Sequence, residues 1–220
     1  MAKKILTPLQ EKFISLLAKN KTLTRQFYLT GGTALAAYYF QHRYSEDLDF
    51  FSLKQIDILA LNIFLKKSKS ELQIQKIDFQ QSFNRNLFFL HTKKDILKVE
   101  FTYFPFELIE RPILKNNIPV DSITDIAANK TFTVYQNPRA RDFIDLYFIL
   151  KRYKKLSFPK LIKLARSKFD SQIDPIQLGA QLIKARDIQD LPRMLVKIEH
   201  SLWRNFFFSQ AKSLSKQIFK

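Results

Sequence analysis

Two aspartates, Asp47 and Asp49, stand one residue apart in the run Glu46-Asp47-Leu48-Asp49-Phe50-Phe51. On an extended strand, residues i and i+2 project from the same face, so the two carboxylates share one side while Leu48 and Phe50 point into a core. Anions held that close repel unless a cation joins them, and carboxylate oxygens suit Mg²⁺ or Mn²⁺. Metal-assisted phosphoryl or nucleotidyl transfer uses such pairs to bridge a metal to a triphosphate. Upstream lie Gly31 and Gly32, two of only three glycines in the chain, followed by Thr33. Backbone N–H groups of a bare turn entering a helix can hold phosphate oxygens, and the Thr33 hydroxyl adds a donor. Each feature alone has a plainer reading. An acid pair can be surface charge, and paired glycines can be a tight strand-to-helix turn. Their order, turn and then acids, favours a phosphate-holding turn feeding a metal-holding strand.

A third carboxylate would strengthen that site. Glu100 lies with Lys98 and Thr102 on the polar face of a strand whose other face carries Leu97, Val99, Phe101 and Tyr103, so it could reach Asp47 and Asp49. The plainer reading is a solvent-facing Glu on an edge strand, and Asp78 is a weaker competitor. His42 and Arg43, just before the acid strand, are candidates to touch a nucleotide. His91 and His200 have no such context, no zinc-like spacing occurs, and no Ser-His-Asp arrangement can be argued.

The elements that must position these groups are legible in outline. Thr7-Pro8-Leu9-Gln10 reads as a helix start with Thr7 as N-cap, Pro8 first and Gln10 closing a capping box, the helix running to about Asn20. Gln26–Thr30 reads as a short strand ending at the glycines, Thr33–Gln41 as a helix and Asp47–Phe51 as a strand. Over Lys54–Lys67, the residues Ile56, Leu59, Ala60, Ile63 and Phe64 fall at helical spacing and predict a buried stripe. Three strand-like runs follow, Leu72–Phe79, Asn86–His91 and Asp95–Phe104, the first two forming a hairpin around Gln80–Arg85. After about Pro119 the pattern turns helical. Ser122-Ile123-Thr124-Asp125 resembles a capped start, Asn137-Pro138 ends that helix, and Arg141–Tyr153 forms the next. Ser157 and Asp174 each cap a further helix, and Asp190 opens a last helix or pair carrying Trp203, Phe206, Phe207 and Phe208. The expected fold class is α+β: a mixed β-sheet flanked by helices over residues 1–118, then a helical domain over residues 119–220 completing the cleft.

Composition bounds the function. Hydrophobic residues make up 46% of 220 residues and Phe occurs 22 times, so a packed core is expected rather than disorder. Cysteine is absent, which excludes disulfides and thiol catalysis and fits a cytoplasmic protein. No apolar run approaches the roughly 20 residues that cross a bilayer, and the leading residues Met1–Pro8 lack the apolar stretch of a signal peptide. Thirty-seven Lys and Arg against 20 Asp and Glu give a formal charge of +17, which favours polyanionic partners. Lys151–Lys168 concentrates that excess: Lys151, Arg152, Lys154, Lys155, Lys160, Lys163, Arg166 and Lys168, with no acid among them.

Two segments resemble the AbiEii/AbiGii-type nucleotidyltransferase toxins of the polymerase-β-like superfamily. One runs from Leu29-Thr30-Gly31-Gly32-Thr33-Ala34-Leu35-Ala36 through His42-Arg43-Tyr44-Ser45-Glu46-Asp47-Leu48-Asp49-Phe50-Phe51. The other comprises Lys130 and then Arg141-Asp142-Phe143-Ile144-Asp145-Leu146-Tyr147. The resemblance implies that Asp47 and Asp49 hold Mg²⁺ (or Mn²⁺), with Glu100 as the later acid. It implies that Gly31, Gly32 and Thr33 hold the phosphates of an NTP, with Arg43 and Arg141 also on the nucleotide. Lys130 would contact the triphosphate, and Asp142 would serve in the catalytic centre, with a general-base role open to it. It implies nucleotide transfer to RNA, with tRNA acceptor ends as the substrate, and a cognate antitoxin as partner. The family pattern also places an Arg between the Lys and the Arg-Asp pair. The corresponding place here is near Asn137, with Arg139 as its substitute. Read without the resemblance, Arg141, Asp142 and Asp145 fall within about one helical turn and could equally be an intrahelical ion pair.

The leading expectation is therefore a Mg²⁺-dependent nucleotidyltransferase acting on RNA, the basic helical half gripping the acceptor stem. Two alternatives stand beside it: a non-catalytic nucleic-acid-binding protein on the same scaffold, and the same chemistry directed at a protein or small molecule.

Overall fold

The computed structural model describes residues 5–218; the leading Met1–Lys4, read above as free of a signal stretch, lie outside the described residues. The chain forms two compact units, Met1–Glu107 with Arg111–Ser122, and Leu108–Glu110 with Ile123–Lys220. Its class is α+β.

The first unit is built on a mixed seven-stranded sheet ordered β3-β4-β5-β2-β1-β7-β6. The strands are β1 (Tyr28–Thr30), β2 (Leu48–Ser52), β3 (Lys76–Ser82), β4 (Arg85–His91), β5 (Ile96–Tyr103), β6 (Ile113–Lys115) and β7 (Ile118–Val120). β1 pairs antiparallel with β2 and parallel with β7, while β2 runs parallel to β5. The central strands β2 and β5 lie side by side and carry Phe50 stacked on Phe101 at 5.3 Å. Leu48 and Phe50 are fully buried, as the alternation predicts. Helix α1 (Pro8–Lys19) starts at the predicted capping box: Thr7 accepts from the Gln10 N–H at 3.2 Å, and the Gln10 side chain accepts from the Thr7 N–H at 2.8 Å. The Gln10 amide then donates to the Glu46 carbonyl at 2.8 Å, so this cap also fixes the loop that leads into β2.

After the short helix α2 (Lys21–Gln26), β1 ends at Gly31, where α3 (Gly31–Leu35) begins and widens into a π-helical turn at Ala36–Phe40. Helix α4 (Ile58–Ser68) departs from expectation. Asp57 caps it, accepting from the Leu59 and Ala60 N–H groups, so Ile56 falls outside the helix. The buried face is Leu61, Phe64 and Leu65, while Leu59 and Ile63 are exposed. The β6–β7 hairpin was not expected at all. It turns through Asn116 and Asn117, both with positive φ (49° and 62°), the geometry of a two-residue primed turn that Asn tolerates.

The second unit is helical: α5 (Ile123–Gln136), α6 (Ala140–Arg152), α7 (Phe158–Phe169), α8 (Pro175–Ile183) and α9 (His200–Ile218). Ser157 and Asp174 cap α7 and α8 as predicted. The last helix opens at His200 rather than at Asp190. Phe143 packs against Trp203 and Phe207 at the centre of this core. Lys168 and Asp125, both fully buried, form an ion pair at 2.6 Å. Asp125 also accepts the Ile109 and Glu110 N–H groups, each at 2.9 Å, which ties the Leu108–Glu110 segment into this unit. Among the described residues no helix is long and apolar enough to cross a membrane.

Candidate active site

In the first unit the sheet brings three site residues into one row. Thr30 on β1 is opposite Asp49 on β2, and Asp49 is opposite Glu100 on β5. Asp47 stands just before β2. Gly31 follows Thr30 with φ +72°, a conformation that L side chains rarely adopt, and a Cβ there would lie 2.7 Å from the Asp49 Oδ2. A Cβ on Gly32 would collide with the Arg43 guanidinium and lie 3.2 Å from the Ser45 hydroxyl. The turn is therefore bare partly because the site's own side chains, Asp49 and Arg43, press against its backbone.

Two of the predicted nucleotide ligands also make bonds within the protein. The Thr33 hydroxyl is buried, donates to the Asp47 carbonyl and lies 2.8 Å from the Ser45 hydroxyl, which pins the loop before β2. Arg43 is buried and donates to the Tyr44 carbonyl at 2.9 Å. His42 is buried beside Phe40. Beneath the turn, buried Asp121 accepts from the Thr30 hydroxyl at 2.6 Å, and its backbone carbonyl accepts from Tyr39 at 2.7 Å. Asp121 carried no sequence signal, because its role depends on the β1–β7 pairing.

Two cations stand among the carboxylates. Lys98 donates to Asp47 Oδ2 at 3.0 Å, with both side chains about a third exposed (28% and 32%). A pair this solvated contributes only about 0–1 kcal/mol and exchanges readily. Arg85 grips both oxygens of Glu100, at 2.6 and 2.7 Å, while the Thr102 hydroxyl donates a third bond at 2.8 Å. The Glu100 side chain is only 7% exposed, so the face expected to be polar is covered. Burial works to raise its pKa, but Arg85 and Thr102 outweigh burial and hold it below the ordinary carboxylate range. Among the described residues, no three of His, Cys, Asp and Glu stand close enough to hold a metal ion together. Asp47 and Asp49 nevertheless suit a hard divalent ion. Their donors are carboxylate oxygens, one already meets an ammonium, and the other lies against a turn with no Cβ to block approach. Asp78, the weaker competitor, is engaged with Lys76 and His91 on β3 and β4.

The second unit holds the other cluster. Lys130 on α5 lies 2.6 Å from Asp145 and 3.1 Å from Asp142, all three buried, and Arg139 reaches Asp142 at 3.1 Å. Asp142 also accepts from the Arg139 N–H at 3.3 Å, closing the first turn of α6. Burial works to raise the Asp142 pKa, and the charges of Lys130 and Arg139 reverse that and set it low. Such a carboxylate is ionised at neutral pH and a weak base. Asp145 takes Lys130, a partner from another helix. Arg141 is half-buried on α6. In the basic run, seven of the eight residues are exposed; Lys168 is the correction, spent on Asp125 in the core. Lys151 lies over the rings of Tyr147 and Phe206.

Comparison with known proteins fits this architecture. The solved structure of JHP933 from Helicobacter pylori matches with a TM-score of 0.61 at 20% identity, over 95% of this chain and 90% of that one. MenT4, nucleotidyltransferase toxin Rv2826c from Mycobacterium tuberculosis H37Rv, matches with a TM-score of 0.57 at 17% identity, over 94% and 82% of the two chains. At those identities the likeness is one of fold. The Aquifex aeolicus (strain VF5) protein aq_aa25 is 29% identical over 161 residues, covering 72% of this chain and 71% of that protein. The family model described as nucleotidyl transferase AbiEii toxin, type IV TA system, matches residues 15–216, and the chain belongs to that family of nucleotidyltransferase toxins.

Proposed function

We propose that the protein moves a nucleoside monophosphate from an NTP to an RNA acceptor, the tRNA 3′ end, and that its cognate antitoxin restrains this activity. The observation that carries the reading is the meeting of the glycine turn and the acid strand: Asp49 Oδ2 lies 2.7 Å from where a Cβ of Gly31 would stand, so a backbone turn and a metal-suited carboxylate share one spot beside Asp47. Asp47 and Asp49 would hold Mg²⁺ (or Mn²⁺), which when bound neutralises triphosphate charge and favours ionisation of the attacking hydroxyl. In the transfer, an acceptor hydroxyl oxygen bonds to the α-phosphorus, its proton passes to solvent, the α–β bridging bond breaks, and pyrophosphate leaves.

The remaining roles fall to the chain's own groups. The backbone of Gly31, Gly32 and Thr33 receives phosphate oxygens. Arg43 and the Thr33 hydroxyl hold that turn and the Asp47 loop in place. In the helical unit Asp142 and Asp145 hold the Lys130 ammonium, a cation suited to phosphate charge. With its pKa held low, Asp142 orients rather than removes a proton. Arg141 and the seven exposed bases of Lys151–Arg166 supply phosphate contacts to RNA.

The test is incubation with each labelled NTP, Mg²⁺ and total tRNA, beside a D47A/D49A double variant. Label on RNA with the native protein alone is the expected result. Label on protein or a small acceptor overturns the RNA assignment, and no metal-dependent transfer to any acceptor overturns the enzymatic reading. Expression of the native protein, but not of the double variant, is expected to arrest growth.

A further inference from the structure

A three-carboxylate metal site would take its third ligand from Glu100, whose backbone stands in register with Asp49 across β2 and β5. The side chain is committed elsewhere. Both of its oxygens are chelated by Arg85 from β4, and one also accepts from Thr102. We propose that Arg85 takes Glu100 out of the metal set and leaves a two-carboxylate site, Asp47 and Asp49, whose remaining coordination falls to oxygens of the incoming triphosphate. This rests on the nucleotidyl-transfer reading above.

The two cations in the row differ in kind, and that difference decides the matter. Lys98 makes one bond to a partly exposed Asp47, so a divalent ion can displace it. Arg85 makes a bidentate, charge-assisted pair with a nearly buried acid, a geometry that fixes direction as well as energy. A divalent ion competes with the first and not with the second. The Arg85 charge also acts on Asp49, which lowers the site's affinity for a bare cation. The metal is therefore expected to arrive already bound to NTP, and Arg85 is a positioning residue acting through Glu100.

Mn²⁺ titration, followed by loss of the free-ion electron paramagnetic resonance signal, tests this without catalysis, with and without a non-transferable triphosphate analogue. Native protein is expected to bind Mn²⁺ weakly alone and more tightly with the analogue. R85Q/E100Q, which removes the ion pair whole and leaves the local charge unchanged, should leave Mn²⁺ affinity within about twofold of native. R85Q, which frees the third carboxylate and removes a cation, should tighten binding about tenfold, and E100Q, which leaves the Arg85 charge unneutralised, should weaken it, with R85Q/E100Q restoring it. A tenfold-scale loss in R85Q/E100Q, or no tightening in a folded R85Q, overturns the inference while leaving the metal site standing. Should R85Q not fold, R85Q/E100Q alone decides. Binding that survives D47N/D49N overturns the site itself and this inference with it.

Discussion

The three glycines of this chain permit an internally controlled perturbation. Gly31→Ala places a side chain at φ +72°, a left-handed position that costs a non-glycine residue about 1–2 kcal/mol. It also sets the new Cβ 2.7 Å from the Asp49 Oδ2, where 3.4 Å begins ordinary contact, so the carboxylate must retreat by roughly 0.7 Å. Asp49 has little freedom to do so, since Leu48 and Phe50 on either side are fully buried. A displacement approaching 1 Å in a metal-holding carboxylate is expected to lower the transfer rate on the order of 10²-fold. Gly179→Ala is the matched control. That glycine lies within α8 with nothing inside 4 Å of its Cβ position, so alanine should stabilise the protein by about 0.5–1 kcal/mol and leave the rate unchanged. Urea denaturation measures the first quantity and initial rates of nucleotide incorporation the second. Equal effects of the two substitutions, or a Gly31→Ala rate within twofold of native, would refute the assignment of Gly31 to the site.

Lys130→Met removes the cation between Asp142 and Asp145. Both carboxylates are buried and lose a cation they share, at a cost of about 3–5 kcal/mol in denaturant titration at neutral pH; a cost below about 1 kcal/mol would show that the cluster is more hydrated than its burial indicates. Glu100 and Asp142 both have folded pKa values below their unfolded ones, so the stability they contribute is fully present above the ordinary carboxylate range and is lost as pH falls through about 4 and below. E100Q and D142N should each flatten that acid limb of the stability curve, and an unchanged limb would count against the pairings. For RNA binding, replacing Lys154, Lys155 and Lys163 by Gln should reduce the slope of log affinity against log salt by about 0.7–0.9 for each phosphate no longer neutralised. An unchanged slope would place the RNA surface elsewhere.

Local chemistry was the legible part of this sequence. The Thr7–Gln10 capping box, the caps at Ser157 and Asp174, and the alternation of Leu48 and Phe50 are decided within a few residues, and each formed where its pattern indicates. The α4 stripe failed on phase. Two apolar faces compete between Ile56 and Leu65, and the Asp57 cap starts the helix late enough to select Leu61, Phe64 and Leu65. The β6–β7 hairpin carried a turn signal in Asn116-Asn117, but its strands are only three residues each and β7 gains its meaning by pairing with distant β1. The same distinction runs through the site. Asp47, Asp49 and the glycine turn stand out because their neighbours in sequence are also neighbours in space. Arg85 on Glu100, Lys98 on Asp47 and Asp121 beneath Thr30 are contacts across strands, so the sequence alone left Glu100 looking available.

The central claim is the class of reaction, and the fate of phosphorus tests it most directly. Native protein would be given NTP labelled at the α-phosphorus or, separately, at the γ-phosphorus, with Mg²⁺ and total tRNA. Nucleotidyl transfer predicts α-label retained on the acceptor and γ-label released as pyrophosphate, with neither outcome in D47A/D49A. Transfer of the γ-label to the acceptor, or α-label incorporation that survives loss of both aspartates, would contradict the account.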